Sequence, residues 1–241
     1  METSTRQMQL GEMKIGVATT EAQGSKFVYV NLHDDENTSA QAGLNVLKRT
    51  GGRLVELRHS GQRDLTFTLE GKEFRVDANR IFTDAGIRAT LQKQSRYAEN
   101  AARSVSRFAL ALLAVYQLDR ADAVIALHNN SEGNYSAFSY AGGGNFARDA
   151  EAVFIRKGSD PDDFFFVTER SVFEGLKLRG YNVVLQDNSR VTDDGSLSVY
   201  CGKARVRYIN VEAKHGHLKE QTQMILDLKE LLDNLGPART R

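Results

Sequence analysis

His33 and Glu36 lie three residues apart, and an imidazole and a carboxylate at that spacing could bind one metal ion. They follow the apolar run 26–30, which predicts a buried strand, and they precede a helix predicted to begin at Ser39. The pattern also has a simpler interpretation, because HxxE pairs are common by chance. The acidic residues 34–36 could only favour the positive end of the helix dipole, with His33 as an ordinary loop residue.

Two further polar residues, His128 and Glu212, also stand where a predicted apolar strand ends. Ligands of open α/β sheets bind at the carboxyl ends of the strands, so these residues could converge with His33 and Glu36. Catalytic zinc commonly takes two histidines and one carboxylate and leaves a position for water. We therefore predict His33, Glu36 and His128 as zinc ligands. Glu212 would be the carboxylate that takes a proton from water and returns it to a leaving amine.

The elements that must position these residues are predicted from hydrophobic periodicity. Strands are predicted over residues 13–18, 26–32, 53–58, 65–69, 72–76, 121–127, 152–156, 164–168, 181–186 and 205–211. Helices are predicted over residues 39–49, 95–118, 169–179 and 217–235. This alternation predicts an α/β fold in one domain, residues 1–241: a mixed, mostly parallel twisted sheet with helices on both faces.

Composition limits the class of protein and its partners. The formal net charge is +1, which gives no argument for a nucleic acid or an anionic membrane as partner. The single cysteine, Cys201, excludes a disulfide framework and a thiolate zinc cluster. Residues 1–12 lack the pattern of a signal peptide, and the apolar run near 108–115 is too short to span a bilayer. We expect a cytoplasmic protein; its oligomeric state is not predicted.

Residues 76–80, VDANR, resemble a segment of the zinc carboxypeptidases of the carboxypeptidase A type. In that family the Asn-Arg pair binds the C-terminal carboxylate of the substrate. An HxxE pair lies upstream, and a histidine and a late glutamate, each at a strand end, lie downstream. This chain has the same order: His33 and Glu36, Asn79 and Arg80, His128, then Glu212. The resemblance covers about residues 26–212 and implies a zinc-carboxypeptidase-like fold, with Asn79 and Arg80 binding the substrate carboxylate.

The resemblance implies two further roles. In the family, an arginine upstream of the Asn-Arg pair polarises the scissile carbonyl and stabilises the oxyanion. Arg63 precedes Asn79 at a comparable spacing and would have this role. Residues 61–64 could instead form a solvated turn. The tyrosine that closes over the substrate has no certain counterpart. Tyr200 is the candidate by position, whereas Tyr135 and Tyr140 belong to a loop predicted over residues 131–146.

These residues predict a zinc-dependent metallohydrolase, a carboxypeptidase-like peptidase that removes a C-terminal residue from a peptide or peptide-like substrate. The alternative is an intracellular zinc deacylase similar to the succinylglutamate desuccinylase and aspartoacylase type, which acts on a small acylated amino acid. A third hypothesis is a catalytically silent binding protein that retains the fold and the pocket.

Overall fold

The strands and helices follow the hydrophobic pattern over most of the chain. The computed structural model describes residues 1–131, 133 and 135–237, so Glu132 and Asn134 of the predicted loop 131–146 lie outside it. The strands within the described residues are β1 (Glu2–Leu10), β2 (Met13–Ala22), β3 (Phe27–Asn31), β4 (Gly52–Arg58), β5 (Asp64–Leu69), β6 (Lys72–Asp77), β7 (Ala123–Asn130), β8 (Ala150–Phe154), β9 (Phe164–Val167), β10 (Asn182–Gln186) and β11 (Tyr208–Lys214). The helices are α1 (Asn37–Thr50), α2 (Asp84–Gln94), α3 (Glu99–Tyr116), α4 (Arg170–Leu178), α5 (Leu197–Ala204) and α6 (Leu218–Leu235).

Nine of the strands in these described ranges form one mixed sheet, in the order β1-β2-β4-β3-β7-β11-β9-β10-β8. The four central strands β4, β3, β7 and β11 are parallel to one another. Strands β9 and β10 are parallel to each other, but β9 runs antiparallel to β11. Strands β1, β2 and β8 run antiparallel to their neighbours at the edges. The central strands β3 and β7 are buried along their whole length, as expected for strands covered on both faces. The predicted α/β class with a mixed sheet is confirmed.

Helices cover both faces of the sheet, which also agrees with the prediction. On one face α1, α4 and α6 pack through apolar side chains such as Val46, Phe173 and Leu228. On the other face α2, α3 and α5 pack together with the β5–β6 hairpin. Helix α3 buries Val105, Phe108 and other residues at helical spacing, so its apolar stripe is the expected core contact.

The hydrophobic pattern of the sequence does not predict one of the observed strands, β1, and two of the helices, α2 and α5. Strand β1 is mostly exposed and is held by antiparallel pairing with β2. Because it buries few side chains, its sequence lacks the alternating apolar pattern by which a strand is predicted. Helices α2 and α5 are short and begin at side-chain caps, in which the hydroxyls of Thr83 and Ser196 accept bonds from backbone N–H groups. The helix predicted from residue 95 begins only at Glu99, because Ala98 has extended backbone angles. No helix among the described residues combines the length and apolar character needed to cross a membrane.

The sheet topology brings the predicted site residues to one edge. His33 follows β3, while His128 and Glu212 lie near the ends of β7 and β11. Because β3, β7 and β11 are parallel neighbours, their carboxyl ends meet. Glu212 is the register partner of His128, so the two residues stand side by side on adjacent strands.

Candidate metal centre

His33, Glu36 and His128 form a compact triangle of possible metal ligands. Glu36 is the N-cap residue of α1, and its backbone N–H donates to the His33 carbonyl at 3.2 Å, which closes a tight turn between them. The Glu36 carboxylate lies 2.8 Å from His33 Nδ1 and 2.9 Å from His128 Nδ1, and the two Nδ1 atoms are 3.2 Å apart. All three residues are buried. The turn and the parallel strands therefore aim three ligand atoms at one point.

The triangle fits a small divalent cation. Around a tetrahedral zinc ion with bonds of about 2.0 Å, the ligand atoms lie about 3.3 Å apart. The separations of 2.8 to 3.2 Å are close to that value, so the ligands need to move apart only slightly. Two imidazoles and one carboxylate are also a donor set that zinc accepts in catalytic sites. The geometry supports a metal ion here without identifying the element.

Asp77 orients His33 from the other side of the imidazole ring. Its Oδ1 lies 2.9 Å from His33 Nε2 and also accepts the Asn79 backbone N–H at 2.8 Å. A metal-binding histidine usually donates its second N–H to a carboxylate, which leaves the other nitrogen free for the ion. The sequence pattern predicts no role for Asp77, although it lies in the VDANR segment. Its contact with His33 joins the end of the β5–β6 hairpin to the turn that follows β3, and a linear motif does not contain that information.

Charges around the triangle favour a cation between the ligands. Burial lowers the pKa of His33, but Glu36 and Asp77 outweigh burial and raise that pKa to about 9. Burial raises the pKa of both carboxyls, yet the adjacent His33 reverses this and holds their pKa values well below the usual range. Burial lowers the pKa of His128, which disfavours its charged form. Two buried carboxylates therefore lie on either side of the His33 imidazole and favour its charged form.

Glu212 is a buried carboxyl whose pKa lies near neutrality. The residue is 4% exposed, and Asn210 Nδ2 donates a hydrogen bond to its Oε2 at 3.0 Å. Burial, together with repulsion from Glu36, raises the pKa of Glu212 to about 8. A group that gains and loses a proton near neutral pH is suited to general acid–base chemistry.

Arg63 also reaches the centre, but it contacts a candidate ligand. Its Nη1 donates to Glu36 Oε1 at 2.7 Å, and its Nη2 lies 3.8 Å from Asp77 Oδ2. Burial lowers the pKa of Arg63, and these two carboxylates more than compensate. Almost half of the side chain is exposed. The guanidinium therefore borders both the ligand triangle and the open space above it.

Asn79 and Arg80 lie in a single turn of 3₁₀ helix, Ala78–Arg80, which follows β6. Asn79 Oδ1 accepts the Leu197 N–H at 3.0 Å, so its amide nitrogen turns towards His128, whose Nε2 is 3.5 Å away. Arg80 Nη1 donates to the Asn79 carbonyl at 2.8 Å, and its Nε lies 3.5 Å from Asp194 Oδ2. Both side chains line the same cavity as the ligand triangle, with N–H donors available to an anion.

That cavity has a volume of about 690 Å³, within the usual range for a small-molecule site. Its lining includes the following predicted site residues: Glu36, Arg63, Asn79, Arg80, His128 and Glu212. His33, also a candidate ligand, is fully buried and does not line the cavity. A more open groove of about 790 Å³ lies at the opposite ends of β3 and β7, and its lining contains no histidine among the described residues.

Tyr200 lies outside the lining of the site cavity, in contrast to the sequence prediction. It belongs to α5 and packs, partly buried, against the core shared with α3. Tyr135 and Tyr140 line the cavity instead, with hydroxyl oxygens 2.6 Å apart. Position along the chain did not identify them, because the loop that carries them folds back over β9, where Tyr140 and Phe166 are in ring contact.

Comparisons with known proteins return similar folds at low identity. No protein-family model matches the sequence, and no curated protein matches it. An aspartoacylase family protein from Mesorhizobium loti is 12% identical, with 100% of this chain and 68% of that chain covered and a TM-score of 0.46. A succinylglutamate desuccinylase/aspartoacylase from Rhodobacter sphaeroides is 12% identical, with 99% and 66% covered and a TM-score of 0.46. A murein-tripeptide amidase from Escherichia coli O157 is 12% identical, with 88% and 82% covered and a TM-score of 0.45.

Each of these TM-scores is below 0.5, and the similarity concerns the fold and not the chemistry. The specific resemblance to the carboxypeptidase A type stays a hypothesis.

Proposed function

We propose that this protein is a metal-dependent amide hydrolase whose substrate carries a free carboxylate next to the scissile bond. One observation carries the proposal: a ligand triangle, a buried carboxyl with a raised pKa and an Asn-Arg pair are grouped around one cavity. The three parts match the three needs of such a reaction, which are an electrophilic centre, a proton carrier and an anchor for the substrate.

His33 Nδ1, the Glu36 carboxylate and His128 Nδ1 would hold the metal ion. When bound, a zinc ion supplies Lewis-acid polarisation of the scissile carbonyl and of the attacking water. Asp77 keeps the His33 ring in place by accepting its Nε2–H. Zinc is our proposal for the metal, since the donor set suits it and no thiolate takes part.

Glu212 acts as general base and then as general acid. Its carboxylate takes a proton from the attacking water and delivers it to the leaving nitrogen, which would otherwise depart as an unstable anion. The Asn210 amide holds the carboxylate by donating to Oε2. Arg63 provides fixed positive charge beside the ligand triangle, where negative charge develops on the carbonyl oxygen.

Arg80 and Asn79 anchor the substrate carboxylate. An arginine fork holds a carboxylate through two parallel hydrogen bonds, and the Asn79 amide nitrogen adds a third. Asp194 is the carboxylate that faces Arg80 in this structure, and its distance of 3.5 Å is long enough for an incoming carboxylate to compete. The anchor fixes the distance between the substrate carboxylate and the bond that is cut, so the last amide bond of the substrate is the one presented.

The preferred substrate is the C-terminal residue of a peptide or peptide-like molecule, as the Asn-Arg pair suggests. A small acylated amino acid is the second candidate, because it presents the same carboxylate next to an amide bond and the cavity of about 690 Å³ accepts either. The two substrates differ only on the acyl side of the scissile bond.

The test is a hydrolysis assay of the zinc-loaded protein with three matched substrates: a short peptide with a free C-terminus, its C-terminal amide, and acetylated amino acids. We expect cleavage of the free peptide at least tenfold faster than cleavage of the amide, since only the former engages Arg80. Glu212→Gln should retain zinc by elemental analysis and lose turnover by about a hundredfold or more. Glu230→Gln is the matched control, because its side chain is 72% exposed on α6.

Turnover of Glu212→Gln at the rate of the parent protein would refute the assigned base. Full zinc occupancy without turnover of any substrate would instead support the catalytically silent binding protein.

A further inference from the structure

The loop between β4 and β5, residues 59–63, is anchored to the turn that contains two candidate metal ligands. Asp34 directly follows His33, and its Oδ2 accepts the backbone N–H groups of His59 and Gly61, each at 2.7 Å. Hydrogen bonds to a carboxylate are stronger than those between neutral groups. Among the described residues, no other hydrogen bond joins the backbone of this loop to another part of the chain. Asp34 therefore holds the loop in place.

The sheet topology places Asp34 beside this loop. Strands β3 and β4 are parallel neighbours, with Asn31 opposite Glu56, so the turn after β3 and the loop after β4 leave the sheet side by side. Asp34 and His59 each lie three residues beyond that pair. The loop then leads into β5, which belongs to the separate two-stranded sheet. Its residues other than His59 are exposed, so burial does little to fix its conformation.

Arg63 is the last residue of this loop and extends to the ligand triangle. Its Nη1 donates to Glu36 Oε1 at 2.7 Å, although almost half of the side chain is exposed. An exposed arginine has many rotamers, and ordering it costs conformational entropy. A fixed backbone limits the positions that the guanidinium can reach, so less freedom is lost when it stabilises charge at the metal centre. The anchor at Asp34 thus restricts the position of Arg63.

We propose that Asp34 is a positioning residue: by holding residues 59–63, its carboxylate keeps the Arg63 guanidinium beside the ligand triangle. The turn between β3 and α1 then has two tasks. It supplies the candidate ligands His33 and Glu36, and it sets the position of the positive charge that faces the scissile carbonyl. The inference rests on the proposed function for the catalytic effect of Arg63, but the positioning itself can be measured without turnover.

The kinetic test is a double-mutant cycle of Asp34→Ala and Arg63→Ala in the zinc-loaded protein, with a free-carboxylate peptide as substrate. Negative charge on the carbonyl oxygen develops only in the transition state. We therefore expect Arg63→Ala to lower kcat about a hundredfold and Asp34→Ala about tenfold, with little change in KM. The double variant should be no slower than Arg63→Ala, because Asp34 acts through Arg63. A further tenfold loss in the double variant would show an independent role of Asp34 and overturn the inference.

Two variants separate positioning from a loss of negative charge near the metal. Asp35→Ala removes an exposed carboxylate from the same turn and should leave kcat within about twofold of the wild type. Asp34→Asn keeps a side-chain oxygen that can accept both N–H groups, so its kcat should fall by less than about threefold. An equal, tenfold loss of kcat in Asp35→Ala and Asp34→Ala would attribute the effect to charge and contradict the anchoring role.

The order of the Arg63 side chain can be measured by ¹⁵N relaxation of its Nε–H group, which needs no substrate. We expect the order parameter to fall into the flexible range, below about 0.6, in Asp34→Ala and to keep its wild-type value in Asp35→Ala. If no substrate is cleaved, the proposed function fails, and this loss of order still supports the positioning role. An order parameter that is unchanged in Asp34→Ala would refute the positioning role, whatever the protein hydrolyses.

Discussion

Glu212 should make the metal-free protein less stable as the pH rises, and Glu212→Gln should remove this effect. Burial and the nearby Glu36 raise the pKa of the carboxyl from 4.5 to about 8. Between these two values the folded state binds more protons than the unfolded state, so the free energy of unfolding falls with rising pH. The stability that the folded state gains by keeping Glu212 protonated is fully lost once the pH exceeds the pKa of Glu212 in the folded state. Each pKa unit corresponds to about 1.4 kcal/mol, so ionised Glu212 costs up to about 5 kcal/mol at high pH.

Glutamine removes the charge and can still accept the hydrogen bond from Asn210. We therefore expect Glu212→Gln to exceed the wild type in unfolding free energy by several kcal/mol near pH 9 and by less than about 1 kcal/mol near pH 5. The assay is urea unfolding of chelator-treated protein followed by circular dichroism, since the sequence has no tryptophan. Glu230→Gln should show no such trend. A difference between Glu212→Gln and wild type that stays constant from about pH 5 to 9 would refute the buried, raised-pKa environment of Glu212.

Two further variants test the residues around the triangle. Asp77→Asn removes the carboxylate that accepts a hydrogen bond from His33 Nε2. We therefore expect the zinc affinity, measured in competition with a chromogenic chelator, to fall by about 10- to 100-fold. An unchanged zinc affinity would contradict the orienting role of Asp77. Arg80→Lys keeps the charge but loses the planar fork, so KM for substrates with a free carboxylate should rise about tenfold with a smaller change in kcat. An equal loss for free and amidated peptides would exclude Arg80 as the anchor.

The prediction that the polar residues at the strand ends meet at one edge of the sheet succeeded because apolar, buried strands can be recognised in the sequence. Each apolar run of a central parallel strand stops at a polar residue, and this contrast distinguishes His33, His128 and Glu212 in the amino-acid sequence itself. Their convergence then follows from parallel neighbours alone. Glu36 joins them because a tight turn and the start of α1 keep it near His33. The catalytic and metal-binding roles of these residues stay predictions, which the substitutions and assays proposed for them test.

Contacts between elements that lie far apart in the chain could not be predicted from the sequence. The contact of Asp77 with His33 joins a separate hairpin to the turn after β3, and β1 is defined by backbone pairing and not by burial. Asn210 did carry a signal, since it lies two residues before Glu212 in a strand and must share its face. Tyr200 was assigned by position alone, and the direction in which α5 presents a side chain cannot be read from position.

The buried carboxylates at this edge of the sheet link metal binding to the protonation of His33. Glu36 and Asp77 are at most 13% exposed, and buried carboxylates require a positive partner. His33 contacts both carboxylates, through Nδ1 to Glu36 and through Nε2 to Asp77, and Arg63 adds a second positive charge beside them. A metal ion would replace only the proton on Nδ1, so Asp77 could keep its hydrogen bond in both forms. Proton and metal thus compete for one nitrogen, and metal affinity should weaken as the pH falls below the pKa of His33.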